Sequence, residues 1–218
     1  STFQGSGQGT AQSGNTSLLN NAVEIRTTGN SSPALVAQSI GGGGGFVGEQ
    51  MGSIVGLDWI GRLGSGKFTR DQNGVAVSDV SGDILNAGSV DVLNTSLIST
   101  QGNVSPGLVA QSVGGGGGYA GGMKAPIISL GANGPISSNS GEVTVTNTRQ
   151  ITTVGRGSAA ILAQSIAGGG GFLSSELIDE MLMGSHFTTS SNSGNVNVVN
   201  SGTLITEGEG SIAVLAQS

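Results

Sequence analysis

The chain of 218 residues has no cysteine, one histidine, one tryptophan and one tyrosine. The missing cysteines exclude a disulfide framework, thiolate metal sites and cysteine nucleophiles, and they are compatible with passage through an oxidising bacterial periplasm. A lone His186 leaves no histidine-rich metal site, and no cofactor is expected. A catalytic serine would have to recruit this residue from "GSHFTT", which reads instead as an ordinary loop histidine. With aromatics at 3%, any core must be built from Val, Ile, Leu and Ala.

Charge is also scarce. Only 9% of residues are charged and the net charge is −6, against ~25% charged residues in ordinary soluble domains. So little charge gives no self-repulsion of the kind that keeps a chain disordered. The seven Lys and Arg are scattered singly, without the basic stripe a nucleic-acid partner would need. No run approaches the ~18 apolar residues of a membrane span, so this segment is not expected to insert into a membrane. The opening "STFQGSGQGTAQSGN" lacks the charged and apolar regions of a signal peptide. The chain stops at "LAQS", inside its own repeat, and we read it as a segment of a longer protein.

What the sequence has in plenty is glycine, 42 residues in all. Glycine runs usually mark flexible spacers, yet these recur with their flanks: "LVAQSIGGGGGF" from Leu35, "LVAQSVGGGGGY" from Leu108 and "ILAQSIAGGGGF" from Ile161. The Ala-Gln-Ser triplets begin at 37, 110, 163 and 216, so the spacings are 73, 53 and 53 residues. Eight residues before each Ala lies a glycine (29, 102, 155, 208), and eight before that an asparagine (Asn21, Asn94, Asn147, Asn200). Between them stand an aliphatic residue (Ile25, Ile98, Ile151, Leu204) and a threonine, and a serine follows the glycine by three. Four units thus share N-x-x-x-[IL]-x-T-x-G-x-x-S-x-x-[LIV]-[LV]-A-Q-S.

Inside this frame the apolar period is two. "SVDVLN", "EVTVTN" and "NVNVVN" alternate as strands with one buried face do, and Asn, Gly and Ser punctuate them as turns. Equal offsets at a long period predict an all-β fold, a parallel β-solenoid in which equivalent positions stack at the ~4.8 Å strand spacing. The asparagines should then bond in a ladder at a turn, with the Ile/Leu positions stacked inside. The glycine runs should stack as well, either as flat strands or as polyproline-II-like segments. One repeat array is expected over 1–218, in units of approximately 1–46, 47–119, 120–172 and 173–218.

From Tyr119 to Asn147 and from Phe172 to Asn200 the separation is 28 residues, whereas from Phe46 to Asn94 it is 48. The first unit therefore carries 20 extra residues, enough for a hairpin. "KFTRDQNGVAV" (Lys67 to Val77) supplies the turn signal Asn73-Gly74. "SSELIDEMLM" (Ser174 to Met183) has a Ser-x-x-Glu opening and helical apolar spacing, which predicts one short helix.

Motifs of chemistry are thin. "GRLGSGKFT" places Gly61, Gly66 and Lys67 at P-loop spacing, but Phe68 occupies the Mg²⁺-binding hydroxyl position. "GRGSAA" and "GEGSIA" fit G-x-G-x-x-A, yet each leads into a strand. No Asp follows the glycine runs at the offset of a calcium-binding repeat. Asp58, Asp71, Asp79, Asp83 and Asp91 crowd the first insertion, spaced as solvated turn residues and not as a catalytic pair. Trp59 and Arg62 are the best ligand-binding candidates, a spot for stacking on a sugar or a partner, although the only Trp also suits packing of the insertion against the wall.

The units "VDVLNTSLISTQGNVSPGLVAQSVGGGGG" and "VTVTNTRQITTVGRGSAAILAQSIAGGGG" resemble repeats in the passenger regions of large bacterial autotransporters (type V secretion) and related surface adhesins. The resemblance covers most of the chain outside the insertions. It implies a β-solenoid stalk on the outer surface of a bacterium, held by a C-terminal barrel outside this segment. Its implied roles are adhesion, aggregation and biofilm formation, with host or neighbouring cells, abiotic surfaces or glycans as partners. The 73-residue spacing departs from a uniform array. A second expectation is self-association into extracellular fibres, through glycine faces or coil ends. A third, a carbohydrate-active β-helix enzyme, would need a carboxylate cluster that the sequence does not offer.

Overall fold

The computed structural model describes the chain outside residues 1–2, 5–10, 49–59, 65–67, 71–75, 79–82, 122–126, 132–134, 175–179 and 184–186. It is a parallel β-solenoid, and no helix occurs among the described residues. A full coil runs through six short strands, and each of them pairs in parallel with its equivalents in the adjacent coils, which builds six stacked walls. The full second coil consists of Val90–Asn94, Leu97–Thr100, Leu108–Val113, Gly117–Gly121, Ile127–Leu130 and Pro135–Asn139. We name the first four walls after what they carry: the asparagine, threonine, glutamine and glycine walls; the fifth and sixth complete the coil.

One 53-residue repeat makes one coil. Val143 sits between Val90 and Val196, Ile151 between Ile98 and Leu204, and Ala163 between Ala110 and Ala216. The period-two alternation explains the walls. Val90, Val92 and Asn94 point in and are buried, while Asp91 and Leu93 face solvent. Ile98 with Thr100, and Ile151 with Thr153, do the same on the threonine wall.

The glutamine wall differs, because Leu108–Val113 is buried on both faces. Leu108 and Ala110 join Val90, Val92, Ile98, Val143, Val145 and Ile151 in an aliphatic core. Val109 and Leu162, on the opposite face, pack with Tyr119 in a second core. Each coil thus encloses two compartments that share one strand as partition. A two-sided strand reads as a continuous apolar run, which suits "LVA" and "ILA".

The 20 extra residues of the first unit do not form one excursion. Tyr119 aligns with Phe46 and Ile127 with Ile60, so that connection spans 8 positions in the second coil and 14 in the first, an excess of six. Leu130 aligns with Leu63 and Ser137 with Ile84, giving 7 against 21, an excess of fourteen. The larger excess holds the expected hairpin, whose arms Phe68–Arg70 and Ala76–Ser78 pair antiparallel. Its Asn73-Gly74 turn lies outside the described residues.

Two expectations are corrected. Ser174 ends a strand, Gly170–Ser174, and Glu180–Met183 is a strand stacked on Ile127–Leu130. The helical spacing of "SSELIDEMLM" is overridden by the preceding coil, whose edge offers a complete parallel ladder to a segment too short to be a stable helix alone. The asparagine column begins at Asn20 and not at Asn21, because Asn94 pairs with Asn20 whereas Ile98 pairs with Ile25. The first coil holds one more residue at that corner. Alternation decides the register: Leu18 and Asn20 point inward, while Leu19 is 64% exposed, and a slip of one would turn Leu19 into the core.

Candidate functional surface

The polar positions of the repeat frame hold the coil corners or tie one coil to the next. Asn20 Nδ2 donates to Asn94 Oδ1, Asn94 to Asn147 and Asn147 to Asn200, each at 2.7 Å. The amides of Asn94, Asn147 and Asn200 also donate to the carbonyl two residues on, as Asn147 does to Arg149 at 2.7 Å and Asn94 to Ser96 at 2.9 Å. Asn94 and Asn147 are fully buried, so the ladder satisfies groups whose burial would otherwise be costly. The frame threonine holds the next corner: Thr100 Oγ1 donates to Ser105 O at 2.6 Å, and Thr153 to Ser158 O at 2.7 Å. The frame serine crosses coils, since Ser105 Oγ accepts from Ser32 N and donates to Gly29 O.

The Ala-Gln-Ser triplet carries two further columns that the sequence reading missed. Gln38 Nε2 donates to Gln111 Oε1, Gln111 to Gln164 and Gln164 to Gln217, at 2.6, 2.7 and 2.8 Å. By alternation these amides lie on the Val109 face, inside the second compartment. The triplet serines clamp successive coils. Ser112 Oγ donates to Gly88 O at 2.7 Å and accepts from Gly141 N at 2.8 Å, and Ser165 repeats this one coil on. The signal was present, a Gln and a Ser at fixed offsets in all four units.

The glycine runs are part turn and part strand, and they are not polyproline-II segments. Gly115 and Gly116 turn the chain with φ 89 and 81, and Gly117 and Gly118 pair as a strand with φ 120 and 127. The other two runs repeat this pattern at 42–45 and 168–171. Polyproline II needs φ near −75°; these values lie where only glycine is at ease. A Cβ on Gly117 would also clash with the carbonyl oxygen of Gly170 in the next coil. Where each run ends, Phe46, Tyr119 and Phe172 stack with centroids 5.2 and 5.1 Å apart and planes within 9°. Tyr119 is fully buried and its hydroxyl donates to Val104 O at 2.7 Å. Burial pushes the phenol's pKa above its ordinary value.

The motifs singled out for chemistry are dispersed. Trp59 lies outside the described residues, as do Gly66, Lys67, His186, Asp58, Asp71 and Asp79. Arg62 belongs to the strand Ile60–Gly64, aligned with Ser129 in the next coil. Gly61 belongs to the same paired strand, which is no place for a phosphate-cradling loop at a helix N-terminus. Asp91 is exposed on the outer face of the asparagine wall. Gly157 and Gly210, from the two G-x-G-x-x-A matches, are left-handed corner residues with φ 62 and 69. Ser31 and Val104 take the same corner position with φ 50 and 51. Among the described residues no group of three or more His, Cys, Asp or Glu could hold a metal.

Shallow clefts are found among the described residues. One, of about 450 Å³, lies against the first coil between Asn30, Pro33, Val36 and Phe46. Another, of about 260 Å³, crosses the threonine wall between Glu24, Arg26, Leu97 and Gln150. The ion pairs Arg26–Glu24 at 3.4 Å and Arg156–Glu209 at 3.3 Å are open to solvent. The buried polar side chains are spent on holding coil to coil, and what faces outward is a low-charge surface of Ser, Thr, Asn and aliphatic residues. Comparisons with protein-family models, with curated proteins and with solved structures find no match.

Proposed function

We propose that this chain is a stretch of the rigid, non-catalytic stalk of a bacterial surface adhesin of the autotransporter (type V) kind, displayed outside the cell and serving adhesion, aggregation or biofilm formation. The observation that carries the reading is the conversion of sequence repeat into length. One 53-residue unit makes one coil, and each coil adds the ~4.8 Å spacing between parallel strands. Polar ladders, serine clamps and stacked rings tie every coil to the next at fixed register. A solenoid with such contacts is stiff along its axis, as a structure that holds binding regions away from a cell surface must be.

The excursions of the first coil are the part of the chain that does not repeat. They flank the strand Ile60–Gly64, which places Trp59 and Arg62 beside them in sequence. In this reading the repeats supply reach, and the excursions or distal regions contact host cells, neighbouring cells, abiotic surfaces or glycans. The test is display of the segment on a bacterium without adhesins of its own, scored for binding to each of those surfaces. Binding is expected, and should be lost when residues 65–82 are replaced by the short corner of the second coil, residues 131–134. A displayed, folded segment that binds none of them removes the excursions as the contact region, and a purified segment that is not a straight rod in electron microscopy overturns the stalk reading.

A further inference from the structure

We propose that two copies of this chain pair side by side, with their solenoid axes parallel, through the outer face of the asparagine wall. The contact lies on a flank of the solenoid, where side chains point sideways and coils added at either end would not cover them. It does not depend on the adhesin reading, and it differs from self-association through glycine faces, because the glycines of the second coil, 114–118, are buried within the chain.

Three observations carry it. First, this wall bears an aliphatic stripe along the solenoid axis. Leu19, Leu93, Thr146 and Val199 are register equivalents in successive coils. Alternation turns the column outward, and Leu19, Leu93 and Val199 are 64%, 37% and 51% exposed. Leu93 stands in a coil with neighbours on both sides, so its exposure belongs to the flank. The corner beside it adds Val23, whose carbonyl accepts from Leu97 N, and the half-buried Leu97 itself. Exposed aliphatic residues scattered singly are ordinary; stacked at the ~4.8 Å strand spacing they form a continuous apolar face of the kind that marks an interaction surface.

Second, the charges beside the stripe complement a second copy of the same face. In the third coil Glu142 stands four residues before Thr146 and Arg149 three residues after it. Both are exposed, and neither forms an ion pair with another described residue. A two-fold axis parallel to the solenoid and running along the stripe exchanges the two flanks while keeping each coil at its own level. Glu142 of each copy then faces Arg149 of the other, and Leu93 meets Leu93 between them. That is the self-complementary contact of a closed dimer, with opposite charges at its rim fixing the register.

Third, the same charges oppose the antiparallel arrangement. A two-fold axis across the solenoid would lay each flank on its own equivalent and set the second coil over the third. Asp91 is exposed on the Glu142 side of the stripe, in the coil before it. It would come against Glu142 of the other copy, acid on acid, and like charges brought together in an interface are costly. The parallel pair avoids this, because its coils meet level by level with the flanks exchanged.

Charge exchange tests the pairing at exposed positions, with circular dichroism to report that the fold is kept. Short strands in few coils make a small face, and small interfaces are weak, so sedimentation equilibrium is followed up to ~1 mM. The unmodified chain should form dimers as concentration rises. Glu142→Arg and Arg149→Glu each set like charges against each other, so either variant alone should dimerise about tenfold more weakly or worse. Their equimolar mixture should recover the dimer, since each variant supplies the sign that the other lacks. Leu93→Lys, in the middle of the stripe, should abolish it; if that variant does not fold, the charge-exchange mixture decides without it. An unmodified chain that stays monomeric throughout overturns the proposal, as does a folded Leu93→Lys that dimerises like the unmodified chain. Tighter dimers of Glu142→Arg alone overturn the parallel orientation, because that change would relieve the clash with Asp91 in the antiparallel one.

Discussion

The two compartments on either side of the glutamine wall share a strand and are built on different principles. The aliphatic compartment packs Val, Ile, Leu and Ala from three walls around ordinary strands. Burying each of those side chains contributes roughly 1.5–3 kcal/mol, and its polar ladder sits at a corner. The glycine compartment has one wall that carries no side chain along its runs. That wall is backbone against backbone, with φ values of 81 to 136 over the last four glycines of each run, and a column of three rings and an amide ladder lie within the compartment. A wall without side chains brings neighbouring coils into close contact, and it does so only while positions such as Gly44, Gly117 and Gly171 stay free of a Cβ. The first compartment therefore tolerates conservative change; the glycine wall of the second does not.

Four substitutions would break or sharpen this contrast. Gly117→Ala should do the most damage, since its Cβ meets a neighbouring backbone carbonyl and its φ is 120. A loss of more than about 3 kcal/mol is expected from strain and overpacking together, read as a lowered urea midpoint; a loss below that of the next variant would collapse the distinction. Ile151→Ala, in the aliphatic compartment and fully buried, should cost about 2–5 kcal/mol through a cavity that the other coils partly relax around. Asn94→Ala should cost about 1–3 kcal/mol, because it leaves the buried amides of Asn20 and Asn147 each short of one partner.

Tyr119→Phe should be mildest, about 1 kcal/mol for the bond to Val104 O, because a third Phe continues the stack. It also has a pH signature. The folded phenol holds its proton above the ordinary pKa near 10, so the unfolded chain ionises first as pH rises. The stability this contributes is whole below pH about 10 and falls above it. Urea titrations on both sides of that pH should show the decline in the unmodified chain and a smaller one in Tyr119→Phe. Equal declines would mean that this hydroxyl is not what the folded state protects.

The fold class was legible because a solenoid writes its geometry into offsets. Equal spacing of Asn, Ile, Gly and Ser in four units admits stacking, and alternation chooses the face. The asparagine ladder and the stacked rings closing the glycine runs follow from the same pattern. The start of the ladder at Asn20 was not legible, since adjacent asparagines fit the spacing equally and only the inward pull on Leu18 separates them. "SSELIDEMLM" misled because local apolar spacing carries no information about the edge waiting in the coil before it. Of the candidate site, Arg62 has its strand and Trp59 lies outside the described residues.

By itself the sequence determined the period, the parallel stacking and the identity of the columns, since these depend only on which residue types recur at which offsets. Tertiary structure decided the rest. It made the glutamine strand a partition between two cores, set the glycines at left-handed angles, and split the twenty extra residues into excesses of six and fourteen. These depend on where one coil's backbone lies against another's, and distance through space leaves no mark on the spacing of residues along a chain.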